Sequence, residues 1–477
     1  MVNSKTYFGF PDAGDEQKEN VLADHVSFKV EEGLKWQDKK IGVQVIIGPK
    51  GSGKTAIRRF VEEKEGSRCL IWNIDVNNTY LDIDAKDFPG KSGKIKNYIS
   101  VLLLANFLRV IQAEAAKRGL DKKAITHISA ALKRGGEILG NFKEGVTEVD
   151  LGLLKLDPKA LLKEKTTSVV NNAFTEIVKE IKEALASKRG YILIDDADDV
   201  IENLEKNPRF IEGLVRAVKD INENLGERLH VLLFLKSGVY QVWHDSQHEL
   251  NKVRHVIEEL TSDEITLQKL IAKRIARIHK EKYQDGKIED LWAREFAWKP
   301  DRQTFKAFSR KITGLCVSGP RDILVIANSA KTKSADKKIR AAQVNQIINS
   351  YSRDKLNEIG ADFGDVYPQI HNLIQLVFGG YIPEAKGIDV AKHIDKTAFQ
   401  AGKIYDQFHN LAWFRLASKE KLLLLMFQIG LFGIKKGKDP VFFNQDETIA
   451  IGDLLENTLL LHPAFISVLG ISAKRKK

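Results

Sequence analysis

Gly48-Pro49-Lys50-Gly51-Ser52-Gly53-Lys54-Thr55 is the stretch on which the fold turns. It matches G-x-x-x-x-G-K-[ST] in full, and its surroundings are those the pattern needs. Before it, Ile41-Gly42-Val43-Gln44-Val45-Ile46-Ile47 is short, apolar and rich in β-branched residues, which predicts a buried strand. After it, Ile57, Phe60 and Val61 recur at helical spacing between Thr55 and Glu65. The glycines let backbone N–H groups wrap a phosphate chain, and the helix that follows turns donors and positive dipole toward an anion. Lys54 is expected to reach the β- and γ-phosphates and the Thr55 hydroxyl to ligate Mg²⁺. The expected nucleotide-binding segment is therefore Gly48, Pro49, Lys50, Gly51, Ser52, Gly53, Lys54, Thr55 and Ala56. Gly90-Lys91-Ser92 repeats only the ending of the pattern and reads as loop.

Outward from this stretch, apolar runs alternate with helical periodicity. Cys69 to Ile74 predicts a second strand, and residues 95–118 a long helix with Ile99, Leu102, Leu103, Phe107, Val110 and Ile111 on one stripe. Residues 120–165 read as an insertion, mixing Gly-rich turns with the alternating Val149-Asp150-Leu151-Gly152-Leu153. Asn171 to Ser187 is helical again and leads into Tyr191-Ile192-Leu193-Ile194-Asp195-Asp196, a third strand. A fourth follows at Leu229 to Leu235 and a fifth at Val256 to Leu260. Strands alternating with helices mark a parallel sheet covered on both faces. Beyond Thr261 the strand signals fade, and residues 263–355 read as helices starting at Ser262-Asp263. Near the end come an apolar helix, Lys419 to Ile429, and extended pieces at Gly430 to Lys435, Val441 to Asn444 and Thr458 to Leu461. His462-Pro463 reads as the exit of the last into a turn. The expected division is an α/β core over 1–262, a helical unit over 263–355 and a small α+β unit over 356–477.

A phosphate-binding loop needs an acidic partner for Mg²⁺, and the third strand supplies one. Its apolar residues put Asp195 at the carboxyl edge of a buried strand, where open α/β sheets bind ligands. Asp195 is expected to contact Mg²⁺ through its water shell, and Asp196 to orient or deprotonate the attacking water. Asp198 and Asp199 lie past the strand and read as solvated or capping residues.

Composition narrows the class. The chain has 477 residues and 53.7 kDa, with 43% apolar and 29% charged residues, enough to bury several cores and to exclude disorder as the main state. The longest apolar run, from Leu422 to Gly433, carries Gln428 and is too short to span a bilayer. The opening residues lack an apolar signal core. Two cysteines, Cys69 and Cys316, form no zinc or disulfide pattern, so a reducing compartment, most simply the cytoplasm, is expected. A net charge of +11 favours polyanionic partners, although the basic residues are dispersed except in the tail Ala473-Lys474-Arg475-Lys476-Lys477.

Taken together, the loop, the Asp-Asp strand, the polar-tipped fourth strand, an arginine before the fifth and the helices after it resemble the AAA+ and STAND ATPases. Origin-recognition-type initiators and bacterial ATPases with a similar lid are the nearest in kind. The resemblance covers residues 35–355 well and the rest loosely. It implies a P-loop NTPase sheet, a helical lid and a winged-helix-like C-terminal unit, with ATP and Mg²⁺ as cofactors. By that resemblance Ser237, and less well Lys236, would sense the γ-phosphate. Arg254 would reach a neighbouring subunit's nucleotide in a homo-oligomer, and Arg321 in Gly319-Pro320-Arg321-Asp322-Ile323 would fold from the lid onto the nucleotide. Phe8 or Phe10 would stack on adenine or serve as a hydrophobic anchor. A winged helix would meet duplex DNA through Lys435, Lys436, Lys438 and the tail, or serve as a protein-interaction module. Such ATPases often carry Glu where this chain has Asp196, which leaves slow hydrolysis open. The resemblance implies an ATPase coupling nucleotide state to oligomerisation, DNA binding or control of a separate effector protein. A slow signalling switch in bacterial defence, or a DNA-binding module with structural nucleotide, is the alternative.

Overall fold

The computed structural model describes residues 6–12, 15, 42–66, 69–74, 83–88, 91–113, 120, 122–140, 164–186, 188–246, 253–260, 262–299, 304–335, 337–400, 402–436, 439–442 and 449–471. Val149 to Leu153, Lys438 and the basic tail lie outside them.

Five strands form one parallel sheet: β1 (Val45–Gly48), β2 (Cys69–Ile74), β3 (Arg189–Ile194), β4 (Leu229–Lys236) and β5 (Ile257–Glu259). Their spatial order is β2-β3-β4-β1-β5. Strands β1 to β4 are largely apolar on both faces because both faces are covered, whereas the edge strand β5 is Ile257-Glu258-Glu259 and half-buried. Val45, Ile47, Ile192, Ile194, Val231 and Leu233 enter one core, whereas the alternate residues Ile46, Tyr191, Leu193, Leu232 and Phe234 enter another. Ile57 and Val61 of α1 (Lys54–Glu65) pack on the second face. The first is covered by α2 (Ser92–Ala113), α4 (Glu164–Ala184) and α5 (Pro208–Leu225).

The stretch expected as an insertion contributes to this core. Helix α3 (Lys122–Gly140) buries Ile128 and Ala131 in it and joins α4 through His127 Nδ1 to Glu180 Oε2 at 2.8 Å. Gly135 and Gly136 suggest a turn, yet both lie inside α3. A glycine costs a helix about 1 kcal/mol, less than the packing returns. Likewise Ser92, read as loop, opens α2.

Helix α6 (Ser237–Ser246) follows β4 directly. After β5 the chain becomes helical: α7 (Glu264–Ile278), α8 (Ile288–Glu295), α9 (Phe305–Thr313), α10 (Pro320–Lys333), α11 (Ala341–Phe363) and α12 (Ile370–Phe378). Asp263 caps α7, accepting from Thr266 N at 2.6 Å. A second sheet closes the chain, with β6 (Glu384–Lys386), β7 (Phe432–Lys436), β8 (Asp439–Val441) and β9 (Thr458–Leu461) in the antiparallel order β8-β7-β9-β6. Helices α13 (Gly387–Ile394), α14 (Lys419–Gln428), α15 (Ile451–Glu456) and α16 (Pro463–Ile466) pack with it. One continuous core joins the helices after β5 to this sheet, from Leu267 to Ile471, and α11 runs unbroken across residue 355.

The N-terminal aromatic turn belongs to that second core. Phe8 is 1% exposed and stacks on Phe296 at 5.8 Å, and its N–H donates to Asn328 Oδ1 at 2.8 Å. Asn328 Nδ2 in turn donates to Gly9 O at 2.9 Å. Of the two aromatics expected at adenine, Phe8 is thus a hydrophobic anchor on α10, whereas Phe10 is 37% exposed.

Candidate phosphate-binding site

The loop from Gly48 to Gly53 leaves the carboxyl end of β1 and enters α1. Its tight course depends on Gly51 and Gly53, at φ +86° and +104°, conformations that L side chains seldom adopt. Lys54 is 7% exposed and lies back in the loop, its Nζ donating to Gly48 O at 2.6 Å and Pro49 O at 3.0 Å. Thr55 and Ala56 follow on the first turn of α1.

Because β4 lies between β1 and β3, three strand ends converge here. Gly48 is level with Lys236, and Ser237 starts α6 beside them. Asp195 follows β3 and is 1% exposed; its N–H donates to Ile74 O at 2.9 Å and its Oδ1 accepts from Asp196 N at 3.1 Å. Asp196 is left-handed, at φ 48° and ψ 46°. Lys236 Nζ meets Asp199 Oδ2 at 3.4 Å.

Helix α10 touches the loop directly. Arg321 N donates to Gly51 O at 3.2 Å, and a Cβ on Gly51 would stand 2.7 Å from Arg321 Cβ. Gly319, at φ +107°, makes the turn that brings α10 in. The Arg321 guanidinium is held by Asp12 at 2.5 Å. Below it, buried Asp322 accepts from Val317 N and Ser318 N and pairs with Lys355 Nζ of α11 at 2.6 Å. Farther along α11, burial pushes the Asp362 carboxyl up against the pull of Lys50, Lys54 and Lys236.

A cavity of about 380 Å³ opens beside the loop rather than over Lys54 and Asp195. Pro49 and Ser237 bound it on the sheet side, Val317 just ahead of α10, Asp362 on α11 and His462 at the second sheet.

The structure thus brings together Gly48 to Ala56, Asp195, Asp196, Ser237 and Arg321. It does not bring Arg254 there. That residue is exposed on the turn before β5, and among the described residues no hydrogen bond or ion pair joins it to the loop. Of the lysines expected at DNA, Lys435 pairs with Glu384 across the second sheet at 2.6 Å.

Sequence reasoning missed Arg58, whose Nε donates to Asp195 Oδ2 at 3.0 Å while its Nη1 engages Glu62. The signal was present. Arg58 stands three residues past Thr55 and four past Lys54, so all share one face of α1. Asp12 and Asn328 carried no comparable local pattern.

Fold and site define an α/β P-loop protein with a helical region after the sheet. No family model matches the chain, nor does any curated protein. Among solved structures it is similar to the Walker-type ATPase PABY2304 of Pyrococcus abyssi. The two share 12% identity over 98% of this chain and 100% of that one, with a TM-score of 0.39. Among the described residues no helix is long and apolar enough to cross a membrane.

Proposed function

We propose that the chain is an Mg²⁺-dependent ATPase of AAA+/STAND type in which nucleotide sits between the sheet and the lid. The observation that carries this is the contact of α10 with the loop, Arg321 N to Gly51 O at 3.2 Å, beside Lys54 and Asp195. A phosphate chain on the loop would face donors from both sides of that contact. Lys54 would exchange the carbonyls of Gly48 and Pro49 for phosphate oxygens, and Arg321 would leave Asp12 to add a planar cation. Thr55 and Asp195 suit Mg²⁺, a hard cation satisfied by one or two protein oxygens beside phosphate and water. When bound, it would neutralise charge on the transferring phosphoryl group. Asp196 would orient the attacking water, with Ser237 between the two strand ends as the polar contact to the γ-phosphate.

Division into a core (1–262), a lid (263–355) and a winged-helix-like unit (356–477) is part of this reading. The separate cores support the division at 262 and α14 leading into the β7–β8 hairpin suits a winged-helix-like unit, whereas the boundary at 355 falls inside α11 and within one shared core. The exposure of Arg254 suits a residue offered to a neighbouring subunit.

A slow switch is the form of the reading favoured by Asp196, whose shorter side chain replaces the longer acid common in fast hydrolases. The test is nucleotide binding with single- and multiple-turnover ATP hydrolysis, with and without duplex DNA. Lys54→Ala is expected to lose binding, Asp196→Asn to bind without turnover, and Arg321→Ala to weaken binding. Failure of the wild-type protein to bind ATP would sink the proposal, and turnover accelerated by DNA would replace the switch with a DNA-responsive motor.

A further inference from the structure

Arg58 has no assigned part in the site just described, yet it holds the carboxylate on which that site depends. Its guanidinium bridges two acids of different character. Asp195 is interior, its side chain 1% exposed, and Arg58 Nε lies 3.0 Å from its Oδ2. Glu62, one turn further along α1, has a side chain 25% exposed and engages Nη1. The arginine side chain itself is 14% exposed.

We propose that Arg58 gates the metal site: it neutralises Asp195 until Mg²⁺ arrives with nucleotide, then withdraws to Glu62. This deepens the Mg²⁺-ATP reading of Thr55 and Asp195 and rests on it. Three physical points carry the inference. A buried carboxylate needs a compensating charge, and in this state the guanidinium supplies it. A divalent cation in the water shell of the same carboxylate would stand close to that guanidinium, and like charges in a site shielded from water repel strongly. Finally, Glu62 provides a second seat already in contact, so Arg58 can release Asp195 and keep Glu62. Asp195 would keep its bond from Asp196 N throughout, which fixes the carboxylate while its charge partner changes.

An arginine that merely ordered Asp195 would give the opposite sign on removal, so metal affinity separates the two roles. The full chain would be titrated with Mn²⁺ in the presence of a non-hydrolysable ATP analogue, with bound metal read by electron paramagnetic resonance. Arg58→Ala is expected to bind Mn²⁺ about tenfold more tightly than wild type, and its unfolding temperature to rise more than wild type on adding Mg²⁺. Arg58→Gln keeps a donor near Asp195 without the charge and carries the same expectation should the alanine variant be too unstable to purify. Glu62→Ala removes the second seat and is expected to weaken Mn²⁺ binding. Unchanged or weaker metal binding in the Arg58 variants, or stronger binding in Glu62→Ala, would overturn the gate while leaving the nucleotide site standing. Absence of Mn²⁺ and nucleotide binding in the wild type, with Lys54→Ala behaving identically, would overturn both.

Discussion

Asp196 holds a left-handed backbone at φ 48° directly after the strand that delivers Asp195. Asp and Asn tolerate that region better than longer side chains do, which gives a physical reason for Asp rather than Glu at this position. Asp196→Asn is therefore expected to keep its unfolding temperature and its nucleotide affinity while hydrolysis falls about 10²-fold or more, measured by single turnover. Asp196→Glu should instead lose about 1 kcal/mol of stability. His462 offers a second test at this scale. Burial depresses its pKa to about 4, and its Nδ1 accepts from Ala464 N at 3.2 Å, a bond the protonated ring cannot keep. Since the unfolded chain binds this proton near pH 6.5 and the folded chain only near 4, stability is present above about 6.5 and lost between there and 4. Equilibrium unfolding at stepped pH should show the wild type losing up to about 3 kcal/mol more than His462→Asn across that window.

Among the elements, the loop and the start of α10 depend on each other. Gly51→Ala meets two obstacles, the positive φ and Arg321 Cβ at 2.7 Å, whereas Gly53→Ala meets only the first because its surroundings are open. Both should weaken nucleotide binding, but only Gly51→Ala should speed hydrogen exchange at the first turn of α10. Asn328→Ala would leave the buried Phe8 N–H unpaired and cost about 1–3 kcal/mol, read by denaturant unfolding and by faster proteolysis of the N-terminal segment. These elements were unequally legible in the sequence. Parallel strands buried on both faces are continuous apolar runs, so β1 to β4 were readable; the loop pattern singled out Lys54 and Thr55, and the carboxyl end of β3 singled out Asp195. β6 was not, because Glu384-Ala385-Lys386 is short and charged and becomes a strand only by pairing with β9. α3 was hidden by its paired glycines. Arg58 shares the Lys54–Thr55 face of α1, but its pairing was not legible, since the acid it meets lies 137 positions away.

At the scale of the whole molecule, the sheet has its own cores, while the helices after β5 and the second sheet share one. Two unfolding transitions are expected in calorimetry, with ATP analogue and Mg²⁺ raising chiefly the one that includes the loop. A single merged transition, shifted as a whole by nucleotide, would mean that the contact between α10 and the loop joins the two parts into one cooperative unit. Helix α11 links these parts as a rod about 34 Å long. It is pinned by Lys355 to Asp322, adjacent to Arg321, and near its end Asp362 feels the lysines of the loop. From the pin to that end is about 12 Å, and to the far end about 21 Å. Packed along its whole length in the shared core, the helix is a brace, so a shift of the loop lysines against Asp362 would reach Asp322 and the start of α10 through rigid backbone.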